Sequence, residues 1–184
     1  MPKIIDNPMQ TILDHAKEII RIEGYMGLNI RKVAESSGLA IGTIYNYFPT
    51  KNDLVARIMT DYWEEYFVVF RKIEEQDTDF YHKLREIFSQ LDLFVNRFHE
   101  TWVKVNTEIE YTEDGLQRKK NFTERLIRKM ESLILGEIKN NPAIHANIDA
   151  PDFARFIILN FITMTQFKEF EYDSFEKIVK MVLI

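Results

Sequence analysis

The sequence predicts an all-α protein, and three observations lead there. Apolar residues recur at helical spacing along most of the 184 residues. Helix-opening signals punctuate them: Asn7-Pro8, Asn29, Thr50 with Asp53, and Asp149-Ala150-Pro151. No strand-like alternation, internal repeat or low-complexity tract intervenes. The expectation is eight or nine helices in two linked layers. With 46% hydrophobic and 29% charged residues, the chain has the composition of an ordinary globular protein with a sizeable core.

The first helix opens at Asn7-Pro8, where Asn caps, Pro takes the first turn and Gln10 reaches back. Ile12, Ala16, Ile19, Ile20 and Glu23 then form its inner stripe, whose apolar members cover the next two helices. Gly24 is expected to end it, with Tyr25 plugging the corner. Asn29 caps the second helix and places Arg31 and Lys32 in its first turn, where backbone N–H groups also meet anions. The third begins near Ala40-Ile41, and Pro49 stops it after Phe48. Thr50 and Asp53 form a short capping box for a long helix, Lys51 to about Glu75, roughly 36 Å of rod. That exceeds the needs of a three-helix domain, so it is expected to extend into a second one. Thr78 or Asp79 caps a fifth helix to about Phe98. Another runs from about Leu116 to Lys139, with Phe122, Leu126, Met130, Leu133 and Ile134 inward. Asp149-Ala150-Pro151 opens one through about Phe170, and the last starts at Asp173.

Ala34, Gly38 and Ile44 stand at the spacing of a helix-turn-helix, a small residue at the crossing and a glycine at the turn. Val33 and Ala34 face inward on one helix; Leu39, Ile44 and Phe48 do so on the other. Such a pair places its second helix in the DNA major groove, although helical hairpins that bind nothing share these offsets. Tyr45 and Tyr47 fall off the buried stripe. Gly42 lets the backbone approach DNA closely, Thr43 and Tyr47 can bond phosphate, and Ile41 can touch a thymine methyl.

The string Val33-Ala34-x-x-x-Gly38-Leu39-Ala40-x-Gly42-Thr43-x-Tyr45-x-Tyr47-Phe48-x-x-Lys51-x-x-Leu54 closely resembles the DNA-binding signature of the TetR family of bacterial transcriptional regulators. The likeness covers about residues 8–66; beyond them it rests on length and helical pattern. It departs from the family at Ala40, usually Ser or Thr, and at Ser37, usually Ala. Ala40 cannot cap, at a cost of about 1 kcal/mol. The resemblance implies base-edge contacts from Ile41, Gly42 and Tyr45, and backbone contacts from Thr43, Asn46, Tyr47 and Lys51. Arg31 would add a guanine or a phosphate contact. It also implies a homodimer on a palindromic operator, most often a repressor. The domains so expected are residues 1–50, which bind DNA, and 51–184, which bind ligand and dimerise.

Charge qualifies this picture. Residues 1–60 hold seven Lys and Arg against six Asp and Glu, net +1, whereas the remainder carries −6. Phosphate neutralisation therefore falls to a local patch around Arg31, Lys32 and Lys51.

Thirteen of fourteen phenylalanines and both tryptophans lie beyond residue 60. They either line a pocket for an apolar or cationic small molecule or simply pack the bundle. The pocket candidates are Tyr66, Phe94, Phe98, Trp102 and Met130, with Glu108 or Asp92 as polar anchor. The helix from Ala150 is apolar on more than one face, so it and the last helix either bury each other or pair with a second copy as a four-helix interface. The TetR resemblance favours the homodimer.

Other chemistries find little footing. Zero cysteines exclude disulfides, thiolate catalysis and Cys-ligated metals. His15, His82, His99 and His145 lack metal-ligand spacing, and no phosphate loop or serine elbow occurs. Neither an enzyme nor a cofactor is expected. Met1–Asp6 shows no apolar signal region, so a cytoplasmic location is expected. The competing reading is a helical ligand-binding or scaffold dimer that does not bind DNA.

Overall fold

The computed structural model describes residues 6–97, 113–141, 148–167 and 169–182, and among these it contains eight α-helices and no strand. They are α1 (Pro8–Gly27), α2 (Ile30–Ser37), α3 (Ile41–Tyr47), α4 (Lys51–Glu74), α5 (Phe80–Arg97), α6 (Glu113–Asn140), α7 (Ala150–Gln166) and α8 (Tyr172–Val182). Two compact units divide them. One ends at Glu64 within α4, and the other takes Glu65–Arg97 and the chain from Glu113 onward. The long helix is thus shared by both, as its length implies.

In the first unit α1 packs on α2 and α3, and α2 packs on α3. Asn7 caps α1 by accepting the Gln10 N–H at 3.2 Å. Ile12, Leu13 and Ala16 are completely buried, Leu13 being a core residue outside the expected stripe. The helix does not stop at Gly24. That residue takes φ 70° and ψ 178°, reachable without strain only by glycine, and one more turn follows to Gly27. The kink sends Tyr25 inward, and the Leu28 N–H bonds to the Tyr25 carbonyl at 3.2 Å. Gly38 ends α2 in the left-handed conformation, φ 69°. Val33, Ala34, Ile44 and Phe48 are buried as expected. Leu39 is only half-buried, because it lies on the turn before α3 begins. Ala40 makes no side-chain cap.

The second unit packs α6 and α5 against α7. Asp79, rather than Thr78, caps α5, accepting from the N–H groups of Tyr81 (3.0 Å) and His82 (3.1 Å). Phe122 is half-buried, whereas Leu126, Met130, Leu133 and Ile134 are buried. α7 ends at Gln166, short of Phe170, because Phe167 turns extended at φ −119° and ψ 107°. Phe161, Tyr172 and Phe175 form an aromatic cluster with ring centroids 5.3–6.2 Å apart, and Phe88 stacks on Tyr172 at 5.1 Å. Arg85 lies 4.5 Å from the centre of the Tyr172 ring and bonds Asp173 (2.8 Å) and Glu176 (2.5 Å), which ties α8 to α5. Among the described residues no helix is long and apolar enough to cross a membrane.

Candidate nucleic-acid interface

α3 is seven residues long, too short to hold itself together, so its packing decides its presentation. Ile44 is fully buried and Phe48, its C-cap, is 5% exposed. These two apolar anchors, four residues apart, fix one face inward. The opposite face therefore points out: Ile41, Gly42, Tyr45, Asn46 and Tyr47 are exposed, and Thr43 is half-buried. Ile41, Tyr45 and Tyr47 are 42%, 49% and 44% exposed.

The flanking elements set the remaining candidates. Asn29 caps α2, accepting the Lys32 N–H at 2.9 Å, and exposed Arg31 stands in that first turn. Thr50 and Asp53 cap α4 reciprocally: the Asp53 N–H donates to Thr50 Oγ1 at 3.1 Å, and the Thr50 N–H donates to Asp53 Oδ2 at 2.9 Å. This places Lys51 at the start of α4. Its ammonium sits 4.0 Å from the centre of the Tyr25 ring and donates to the Tyr25 carbonyl at 3.4 Å. The residue expected to plug a corner therefore also seats a DNA-contact candidate. The two are 26 positions apart, so no local pattern could show it. All eight DNA-contact candidates lie in this first unit, on or at the opening of α2, α3 and α4.

The expected basic patch is narrower than the residue types suggest. Lys17 and Arg57 both meet Asp61, at 3.4 and 3.1 Å, and Arg21 meets Glu18. Lys32, counted on for phosphate, is instead ion-paired with Glu23.

In the second unit Tyr66 and Phe94 come together, with centroids 5.8 Å apart. Tyr66 is buried, its hydroxyl donates to the Ile87 carbonyl at 3.1 Å, and burial pushes its phenol far above the ordinary value. Met130 is fully buried on α6. Asp92 is half-buried and accepts from Asn96 at 2.9 Å. Phe67, beside Tyr66, lies under the Arg125 guanidinium at 3.9 Å. Phe98, Trp102 and Glu108 lie outside the described residues. The described residues contain no group of three or more His, Cys, Asp or Glu able to hold a metal.

Comparison with known proteins bears on the same segment. The fatty acid metabolism regulator protein of Bacillus subtilis (strain 168) is 24% identical over 115 residues, which is 62% of this chain and 58% of that protein. The chain thus spans less than two thirds of that relative's length. A transcriptional regulator from Cytophaga hutchinsonii ATCC 33406 shares the fold with a TM-score of 0.74 at 15% identity, over 96% of this chain and 93% of that one. The transcriptional regulator FadR from Bacillus subtilis, solved with stearoyl-CoA, does so with a TM-score of 0.58 at 20% identity, over 85% and 84%. The sequence profile of the bacterial regulatory proteins of the tetR family matches residues 12–58. That window holds most of α1, the whole of α2 and α3 and the first turns of α4, so over residues 12–58 this chain is similar to the helix-turn-helix domain of that family.

Proposed function

We propose that the protein is a DNA-binding transcriptional regulator that reads the major groove with α3 as a homodimer on a palindromic operator, and that a small molecule releases it. The observation that carries this reading is the outward display of Ile41, Gly42, Tyr45, Asn46 and Tyr47 from a helix pinned by Ile44 and Phe48. In this reading Gly42, Ile41 and Tyr45 meet base edges; Thr43, Asn46, Tyr47 and Lys51 meet the sugar-phosphate backbone; and Arg31 meets guanine or phosphate. Two copies supply two such helices, one turn of DNA or a multiple apart. The pairing surface is α7 with α8, where Leu159, Ile178 and Met181 remain 48%, 42% and 75% exposed in one copy.

The effector class best supported is a long acyl chain on coenzyme A. The support is the likeness to a fatty acid metabolism regulator and to a regulator solved with stearoyl-CoA, together with a phenylalanine-rich second unit. Binding there biases α4, which belongs to both units. A preference of about 2.7 kcal/mol for the DNA-free state lowers occupancy a hundredfold. The output is repression relieved by the effector.

The test is selection of a duplex from a random pool, then anisotropy titration at fixed salt. Tyr47→Phe and Lys51→Ala weaken binding to every duplex alike, whereas Ile41→Ala and Tyr45→Ala change which duplex is preferred. Stearoyl-CoA releases the selected duplex, and coenzyme A alone does not. Equal titrations for wild type and all four variants would remove α3 from the interface.

A further inference from the structure

We propose that Glu23 acts as a built-in stand-in for a DNA phosphate: its carboxylate occupies the ammonium of Lys32 and withholds that cation from sequence-independent contact with the duplex. The proposal rests on the DNA-binding reading above.

Glu23 sits just before the kink at Gly24, and Lys32 lies in the first turn of α2, directly after Arg31. Their side chains form an ion pair across nine residues, with the kink at Gly24 between them. Room for it comes from Gly27. A Cβ built there would stand 2.3 Å from Glu23 Cβ and 2.8 Å from Glu23 Oε2, closer than real contacts allow. The glycine has no positive φ to explain it, so the space it leaves to Glu23 is what its missing side chain supplies.

Magnitudes decide what the pair is for. Its side chains are 42% and 41% exposed, and ion pairs in such settings add little to stability. A phosphate contact is different in kind, because each one releases condensed counterions and steepens the salt dependence by about 0.9. In a domain whose first 60 residues carry only net +1, one cation engaged or released is a large share of the field. Lys32 neighbours a proposed contact residue and is exposed enough to exchange one anion for another. Glu23 therefore sets how tightly the protein holds any duplex, operator or not.

The experiment uses the full chain and a random-sequence duplex of about 20 base pairs, long enough for two half-sites. Anisotropy is read between about 50 and 300 mM salt for wild type, Glu23→Gln, Lys32→Ala, the double variant and Glu18→Gln. Glu18 is the control: a carboxylate on the same helix, also exposed and paired with a cation, Arg21. Glu23→Gln should bind several-fold tighter at about 0.1 M salt, with a slope steeper by about 0.9 per protomer. Lys32→Ala, which leaves the Glu23 carboxylate uncompensated, should bind no tighter than wild type, the double variant should lose the gain of Glu23→Gln and return to wild type, and Glu18→Gln should not tighten binding. The proposal is overturned by a Glu23→Gln curve that superimposes on wild type. It is equally overturned if the tightening survives in the double variant or is matched by Glu18→Gln, since either would mean simple loss of negative charge. If no variant binds at the lowest salt, the DNA-binding reading falls first and takes this proposal with it.

Discussion

Gly42 is the second residue of α3, lacks the positive φ that would demand glycine, and has nothing within 4 Å of where a Cβ would stand. The fold gains nothing from it, because glycine inside a helix is about 1 kcal/mol worse than alanine. Gly42→Ala is therefore expected to raise the urea midpoint while lowering affinity for the selected duplex. A variant that gains stability and keeps its affinity would exclude Gly42 from close approach to DNA. Two buried tyrosines make an opposed pair. Tyr66 donates to Ile87, whereas Tyr172 Oη is buried with no hydrogen-bond partner among the described residues. Removing a satisfied hydroxyl costs about 1 kcal/mol, while removing an unsatisfied one is neutral or favourable by a similar amount. In urea denaturation Tyr66→Phe should lower the midpoint, whereas Tyr172→Phe should leave it unchanged or raise it. At this scale the sequence separated exposed from packing residues on α3, because a buried Ile44 and Phe48 leave Tyr45 and Tyr47 on the far side. It could not show that Lys32 faces Glu23, a pairing across a kink rather than at helical spacing.

At the scale of the element, caps were the readable feature. Asn7, Asn29, Thr50 with Asp53, and Asp149 each start a helix as their side-chain chemistry requires. The ends were less readable, since Gly24 bends α1 without ending it and α7 stops before Phe170 although no breaker marks that point in the sequence. α8 is held to α5 by charge as well as by its aromatic face. Hydrogen bonding from Lys180 at 2.6 Å, and then from Arg85, holds the Glu176 carboxyl below the ordinary carboxylate range. A depressed carboxyl stabilises the fold above its unfolded value, about 4.3, and loses that contribution as pH falls through the lowered one. Glu176→Gln should therefore unfold at lower urea than wild type at pH 7, and the gap should narrow as pH falls through the depressed value. A gap that persists unchanged in acid would show that packing, not charge, sets the difference.

For the molecule as a whole, the sequence conveyed an all-α fold with a small helical domain and a larger bundle, because both follow from periodicity and length. It conveyed less about the second unit. Tyr66, Phe94 and Met130 are as suitable for a core as for a pocket, and burial alone, the property sequence predicts, serves both. The apolar surface left on α7 and α8 gives the assembly a direct test. Leu159→Glu places a charge on an exposed position that the monomer's fold does not need. Sedimentation should show a monomer, and the selected palindrome should be bound more weakly while a single half-site is bound as before. A dimer that persists would place the pairing surface elsewhere.

α4 contains neither glycine nor proline over its 24 residues, so it offers no point at which to flex. A bar of this length behaves as a lever: tilting one end by about 5° swings the other through about 3 Å, close to the 3.4 Å step between neighbouring base pairs. In the proposed switch, a slight cant at the Glu74 end throws the turn carrying Lys51 out of phase with the rungs of the double helix.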